Sequence, residues 1–328
     1  MHIGGNRSNL LVALAACLML ACGRGRHETT ESYILVTTNT RIAYWQEAAK
    51  GLETAARQLG VKWEMIGPEN YDPAAEKEEL QKAVHRQIPP SGIMVSAADP
   101  AIMREAIDAA AAAGIPVITI DADSPGSKRL TFVGTNNYEA GQTGGEILAK
   151  ELKGKGNVVV YTMPGQANLE ERLEGYKRVL ARNPGIKIVQ VVDVAGDPGK
   201  AFDATKAFVE KGKPIPDAFV CLEALSCAEV ADVLDRSKIR DKTVIAMDTS
   251  EGTVNWLDKG MIRATIAQKP YTMAYFATRL LDDYHHNKAA STDPGGSRAT
   301  TPVFIDTGAT LVDKTNVASF LPARMASR

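Results

Sequence analysis

Residues 99–123 read DPAIMREAIDAAAAAGIPVITIDAD, and this stretch decides the fold. Asp99 offers an N-cap acceptor, and Pro100 a first helical residue whose missing N–H removes nothing the helix needs. Gly114 stops the helix, and Pro116 to Ile120 is a short apolar run, rich in β-branched residues, that ends on the polar Asp121. A helix followed at once by a buried strand is half of a βαβ unit, and the same grammar extends both ways. Upstream, Tyr33 to Thr37 is a strand, then Trp45, Ala48, Ala49, Leu52, Ala55, Ala56 and Leu59 recur at helical spacing until Gly60. Val61 to Met65 and Gly92 to Val95 are further strands, with a helix carrying Leu80, Ala83 and Val84 between them.

After Thr131 to Val133 the series restarts. Helices are predicted at Tyr138–Leu152, Asn168–Ala181 and Ala201–Glu210, then one opened by a Ser226/Glu229 capping box, a short one with Val254 and Leu257, and one at Pro270–Tyr284. Strands are predicted at Asn157–Tyr161, Ile186–Val194, Ala218–Leu222, Thr243–Met247 and Ile262–Ile266, with short ones near Val303–Ile305 and Thr310–Val312. Ala140, Gly141, Gly144 and Gly145 allow close packing of the first of these helices. Strand–helix alternation demands right-handed crossovers and parallel sheets. The fold class is therefore α/β, with two doubly wound parallel-sheet lobes.

The chain has 328 residues, enough for two modest cores, and a formal net charge of −1. That balance excludes a general pull toward phosphates, so no nucleic-acid partner is expected. Arg7 and the apolar run Leu10–Leu20 read as an export signal, because a membrane span needs ~20 helical residues. Cys17 and Cys22 each end a lipobox-like stretch. Cys22 is favoured as the lipidated residue, with Cys17 the alternative; a plain secretory signal with incidental cysteines is the less favoured reading. Residues 1–21 are then signal peptide and 22–31 a tether, which places the mature protein outside the cytoplasm, anchored by lipid. Cys221, in a buried strand, and Cys227, in the next helix, are read as free thiols acting as small hydrophobes, although export permits a disulfide.

In open α/β sheets, ligands sit beyond the carboxyl ends of the strands. Thr38, Ser96, Asp121, Asn137, Glu223, Asp248 and Gln268 all occupy such positions. Arg172 lies on the helix after the 157–161 strand, and Tyr44 and Trp45 open the first helix. Each alone is an ordinary cap, turn former or, for Trp45, a core residue on the apolar stripe. Tyr44 stands one step off that stripe. Together they suit a polyhydroxyl solute: carboxylates accept from hydroxyls, Arg donates, carboxamides do both, and aromatic faces cover C–H surface. G-x-S-x-G, H-E-x-x-H, P-loop and G-x-G-x-x-G signatures are absent from the sequence. No catalytic residue, cofactor or metal site is assigned. His285-His286 ends a helix and is read as offsetting its dipole, with a metal pair as the alternative.

The residues now resemble a known family, the periplasmic sugar-binding proteins of the ribose-binding type that feed ABC importers. The resemblance covers roughly Tyr33 to Val312. It rests on Tyr44-Trp45 ahead of Gly51, AGIPVITIDAD (113–123), VGTNNYEAGQTGGEILA (133–149), EERLEGYKR (170–178), VIAMDTS (244–250) and ATIAQKPYTMAY (264–275). It implies that Tyr44 and Trp45 stack on the sugar, that Asp121, Arg172, Asp248 and Gln268 bind hydroxyls, and that Asn137 begins the second lobe. Glu223 stands where ribose binders carry Asn, Ala122 where they carry Arg, and Ile42-Ala43 where they carry Asn-Pro. Those departures point away from ribose itself and leave a monosaccharide or similar polyol. The resemblance also implies three hinge strands, near 134–136, 266–269 and 295–300. The N-terminal lobe is then 32–135 plus 269–297, and the C-terminal lobe 136–268 plus 298–328.

The partners implied are a small sugar, an ABC permease and, through the lipid, a membrane; a monomer is expected. Other readings share the lobes. One is a sensor signalling to a membrane protein or binding an autoinducer. Another is a lactose-repressor-type regulator, which needs a helix-turn-helix where this chain has its export signal. A carboxylate-based enzyme acting on a sugar is a further reading.

Overall fold

A computed structural model describes residues 27–210, 212, 214–287 and 302–321. The expected export signal, both lipobox cysteines and the segment 295–300 expected as the third hinge strand lie outside the described residues. The first series runs β1 (Ser32–Val36), α1 (Ala43–Leu59), β2 (Lys62–Ile66), α2 (Pro73–Val84), β3 (Gly92–Val95), α3 (Pro100–Ala112), β4 (Val117–Ile120) and β5 (Phe132–Gly134). The cap read from residues 99–123 is in place: the Asp99 side chain accepts from the backbone N–H groups of Ala101 and Ile102. The second series runs α4 (Asn137–Glu151), β6 (Lys155–Thr162), α5 (Ala167–Leu180), β7 (Gly185–Asp193), α6 (Pro198–Phe208), β8 (Ala218–Cys221), α7 (Ser226–Arg236), β9 (Thr243–Met247), α8 (Glu251–Asp258) and β10 (Ala264–Ala267). Then come α9 (Pro270–His286), β11 (Phe304–Asp306) and β12 (Thr310–Asp313).

The strands form two six-stranded sheets, ordered β11-β5-β4-β3-β1-β2 and β12-β10-β9-β8-β6-β7. Apart from the antiparallel pair β10–β12, neighbours run parallel. Side chains alternate across each strand, and both faces are covered. In the first sheet Tyr33, Leu35, Met94 and Ile118 pack toward α1 and α9, whereas Ile34, Val36, Ile93 and Val95 pack toward α2 and α3. The second sheet repeats this, with Val158, Val160 and Val220 in one cluster and Val159, Tyr161 and Phe219 in the other.

In both sheets the strand order reverses at one point, between β1 and β3 and between β6 and β8. Such a switch point opens a crevice at the carboxyl ends. The chain passes from one sheet to the other after β5, after β10 and between β11 and β12. The third passage corrects the sequence expectation of 295–300. β11 lies beyond that segment yet pairs with β5, Phe304 opposite Phe132 and Asp306 opposite Gly134. Its rings explain why: Phe304 stacks on Phe132 at 5.2 Å between centroids. The passage is the three-residue connection 307–309 between β11 and β12.

The cysteine expectation is also corrected. Cys221 and Cys227 form a disulfide, with Cα atoms 5.8 Å apart. The chain doubles back over 222–226 so that α7 packs against β8, which brings the first turn of the helix over the last residue of the strand.

Candidate functional site

The residues that leave the two sheets meet in a cleft between the lobes. The cavity is about 570 Å³, counted out to its open mouth, and its lining includes Thr38, Tyr44, Trp45, Ser96, Asp121, Arg172, Glu223, Asp248 and Gln268. Asn137 is the exception among the expected residues. It is buried behind Arg172, and its Oδ1 accepts from Arg172 Nε at 2.9 Å. Its position at the first turn of α4 puts it one layer back, where it orients the guanidinium.

Asp121 and Asp248 occupy equivalent places, each directly after a central strand, and each has φ of +62°. That left-handed conformation is uncommon outside glycine, and a short side chain such as Asp tolerates it best. The turn swings both carboxylates off the strand line and into the cleft. Asp121 accepts from Tyr44 Oη at 2.6 Å and from Asn168 Nδ2 at 3.3 Å. Asp248 accepts from Gln268 Nε2 at 3.1 Å and from its backbone N–H at 3.2 Å.

Arg172 joins these groups. Besides the bond to Asn137, its Nη1 donates to Leu222 O at 2.7 Å and its Nη2 to Gln268 Oε1 at 2.6 Å. Gln268 Oε1 also accepts from Thr135 Oγ1 at 3.0 Å, tying the first passage between lobes to the second. The guanidinium is placed by the close approach of α4 to α5. A Cβ on Gly141 would fall 2.0 Å from Arg172 O, and one on Gly175 would fall 2.2 Å from Tyr138 O. This bears out the close packing read from the glycines around 141.

Glu223 plays a part that sequence gave to other residues. No side chain caps α7 at its Leu225 N-cap, so the Ser226/Glu229 capping box does not form. Instead Glu223 accepts from the N–H groups of Leu225 and Ser226, at 2.5 Å and 3.1 Å. Asn168, where the predicted 168–181 helix begins, does not cap α5, whose N-cap is Gln166. It sits inside the helix and reaches across the cleft to Asp121. Tyr44 and Trp45 meet edge to face at 5.1 Å; Trp45 also belongs to the first-lobe core, as its stripe position indicated.

Arg172 is the one cation among the described residues lining the cavity, against the carboxyls of Asp121, Glu223 and Asp248. Burial therefore dominates all three. It raises Asp121 and Glu223 above the ordinary carboxylate range, and pushes Asp248 up to about 6, despite the opposing pull of Arg172. Tyr44 is raised well above the ordinary phenol value by burial and by the nearby aspartates, so its hydroxyl stays a donor.

Several cavity residues were missed from sequence: Asn39, Tyr71, Met163, Gln166, Asn168 and Gly196. Tyr71 follows β2, Gly196 follows β7, and the other three of the second lobe follow β6. The strand-exit rule that found Asp121 points to them too, had it been applied to those strands. They also close the cleft, since Gln166 Nε2 donates to Tyr71 Oη at 3.1 Å and Tyr71 packs over Gly196.

Residues 33–289 match the periplasmic binding protein domain. The chain belongs to the periplasmic binding protein family. Among curated relatives of this periplasmic binding protein, the ribose import binding protein of Bacillus subtilis is 23% identical over 241 residues, 73% of this chain and 76% of that one. The D-apiose import binding protein of Paraburkholderia graminis is 24% identical over 276 residues, 83% and 87% of the two chains. Among solved structures, the glucose-galactose binding protein of Geobacillus stearothermophilus superposes with a TM-score of 0.79 at 29% identity, covering 88% of this chain and 99% of its own. A Burkholderia graminis solute-binding protein in complex with D-arabinose gives a TM-score of 0.80 at 28% identity, covering 90% and 99%. The two-lobe α/β fold read from sequence is thus shared with sugar-binding proteins of ABC transporters. Membership of this family implies an extracytoplasmic location, and no helix among the described residues is long and apolar enough to cross a membrane.

Proposed function

We propose that this periplasmic binding protein captures a monosaccharide or similar polyol in the interlobe cleft and delivers it to an ABC importer. The observation that carries this reading is the convergence of Asp121 from one lobe and Asp248 and Arg172 from the other on a single cavity. The carboxylates accept from ring hydroxyls, Arg172 and Asn168 donate to them, and Tyr44 with Trp45 covers the apolar C–H face. Glu223, fixed by the start of α7, places a carboxyl where ribose binders carry a carboxamide, which favours a solute rich in hydroxyl donors. Ribose, D-apiose, glucose-galactose and D-arabinose in the names of the relatives support a pentose or hexose. Lipid attachment at Cys22, with Cys17 the alternative, would hold the protein beside its permease. The solute would leave unchanged, because the cavity is a binding site and not a reaction centre.

A thermal-shift screen against pentoses, hexoses and polyols tests the reading. A true ligand at ~100 times its Kd stabilises the fold by about 2.7 kcal/mol. Asp121→Ala and Arg172→Ala should each remove that shift while the far-ultraviolet circular dichroism stays that of a folded α/β protein. If a sugar shifts the wild type and both variants equally, the cleft is not its site. A ligand recovered chemically altered after long incubation would count against a pure binding role.

A further inference from the structure

A second group of functional side chains lies far from the cleft. α9 begins beside Gln268, and its rise of 1.5 Å per residue carries His286 about 24 Å from Pro270, to the opposite end of the first lobe. There Asp282 and His286, one turn apart on one helix face, meet His27 and Glu31 from the segment that enters β1. One ligand atom from each lies within 4.8 Å of the others. His27 Nε2 is 2.8 Å from Asp282 Oδ1, His286 Nε2 is 3.0 Å from Glu31 Oε2, and His286 Nε2 is 3.5 Å from Asp282 Oδ1. Both carboxylates are buried, whereas the two imidazoles keep 14% and 15% of their side-chain surface, which leaves a way in from solvent.

We propose that His27, Glu31, Asp282 and His286 form a divalent transition-metal site, with zinc the ion that best suits the donor set. Two imidazoles and two carboxylates complete a tetrahedral shell. Metal–ligand bonds of ~2.0–2.2 Å place tetrahedral donors roughly 3.3–3.5 Å apart, so the donors need move by less than a bond length. On binding, each imidazole presents its Nε2 lone pair with its proton on Nδ1, and the present hydrogen bonds give way to metal bonds. A second layer is already built: Tyr33 Oη donates to Asp282 Oδ1 at 3.2 Å, and the Glu28 N–H to Glu31 Oε1 at 2.6 Å, which fixes both carboxylates. The ion would clamp the segment entering the first lobe onto the lobe's last helix. In sequence the donors are two i,i+4 pairs, H-x-x-x-E and D-x-x-x-H, at opposite ends of the lobe. Read apart, His27 passes for tether and His286 for a helix end.

The inference is independent of the solute-binding reading. The experiment uses untagged protein stripped with a chelator, titrated with zinc by calorimetry and followed by thermal shift, with magnesium as control. One equivalent of zinc should bind and raise Tm, and magnesium should do nothing, because a hard cation gains little from imidazoles. His27→Ala and His286→Ala should each weaken zinc binding roughly 10-fold or more, and the double variant should abolish it. Both side chains lie at the lobe surface, so the variants should fold, and their circular dichroism checks this. No zinc-dependent shift in the wild type, or equal zinc affinity in the double variant, overturns the proposal.

Discussion

Asp248→Asn should make the protein more stable near neutral pH by an amount that disappears as the solution is acidified. Asp248 is 7% exposed, and burial raises its carboxyl from 3.8 to about 6. A raised folded-state value means that the native state binds the proton more tightly than the unfolded chain. The stabilisation from protonation is therefore fully present below about pH 4 and is lost as pH rises through about 6. Ionising the buried group costs about 3 kcal/mol in total, at about 1.36 kcal/mol for each pH unit between 3.8 and about 6. Between about pH 7.5 and about pH 5 the part expressed is roughly 1.4 kcal/mol. Asparagine keeps an oxygen to accept from the Gln268 N–H and never ionises, so the stability of the variant lacks this term. Urea unfolding of ligand-free wild type and variant across that range should show the variant's advantage shrinking by about 1.4 kcal/mol toward the acid end. The same variant should bind its sugar more weakly, because a carboxylate acceptor is gone. A difference between the two proteins that does not change with pH would refute the assignment of a raised Asp248.

Gly141→Ala puts a methyl 2.0 Å from Arg172 O and must push α4 away from α5. It should cost about 1–3 kcal/mol in urea unfolding and weaken sugar binding, although residue 141 does not line the cavity; unchanged affinity would mean that the helix pair does not position Arg172. Replacing both Cys221 and Cys227 with Ser opens a loop of sequence separation 6, which should cost about 2 kcal/mol and loosen the cavity residues Glu223, Ala224 and Leu225. Unfolding with and without reductant, and calorimetry on the variant, measure the two effects. At the left-handed Asp121, both Ala and Gly remove the carboxylate, but only Ala keeps the strain; Asp121→Gly should be the more stable by about 1 kcal/mol. Equal stabilities by urea unfolding would show that the turn holds no strain.

The elements were legible because each is specified locally. Asp99-Pro100 caps and opens α3, Gly60 ends α1 with φ of 76°, and the inner strands β3, β4, β8, β9 and β10 are short buried runs that are mostly apolar. The cavity was legible because a single geometric rule sends strand-exit residues to one edge, and Asp121, Glu223 and Asp248 obey it. What failed depends on tertiary contact. β11 joins the first sheet through Phe132 and Phe304, which no local signal pairs. The disulfide depends on how the 222–226 turn doubles back, and Asn137 depends on which layer of α4 faces the cleft. Asn168 was visible as a polar residue at a helix start, but capping and reaching across a cleft leave the same mark in sequence.

The cleft has little of its own to hold it shut. Across it run Asn168 to Asp121 and Gln166 to Tyr71, ordinary hydrogen bonds each worth about 0.5–1.5 kcal/mol net, or somewhat more for the bond to a carboxylate. Against them stands the burial of three carboxyls beside one guanidinium, which raises every one of those carboxyls. Closing without solute therefore strips water from carboxylates that keep only their protein donors and share one cation. A polyol supplies the missing donors only when both lobes surround it, since Asp121 lies on one sheet and Asp248 on the other. Its affinity for the closed form thus exceeds that for the open one, which is the condition for a ligand to shift such an equilibrium. A solute without hydroxyls on both faces would meet one aspartate and leave the other dehydrated with only its protein donors, so the excess of carboxylates over cations that destabilises the empty closed state also selects the solute that closes it.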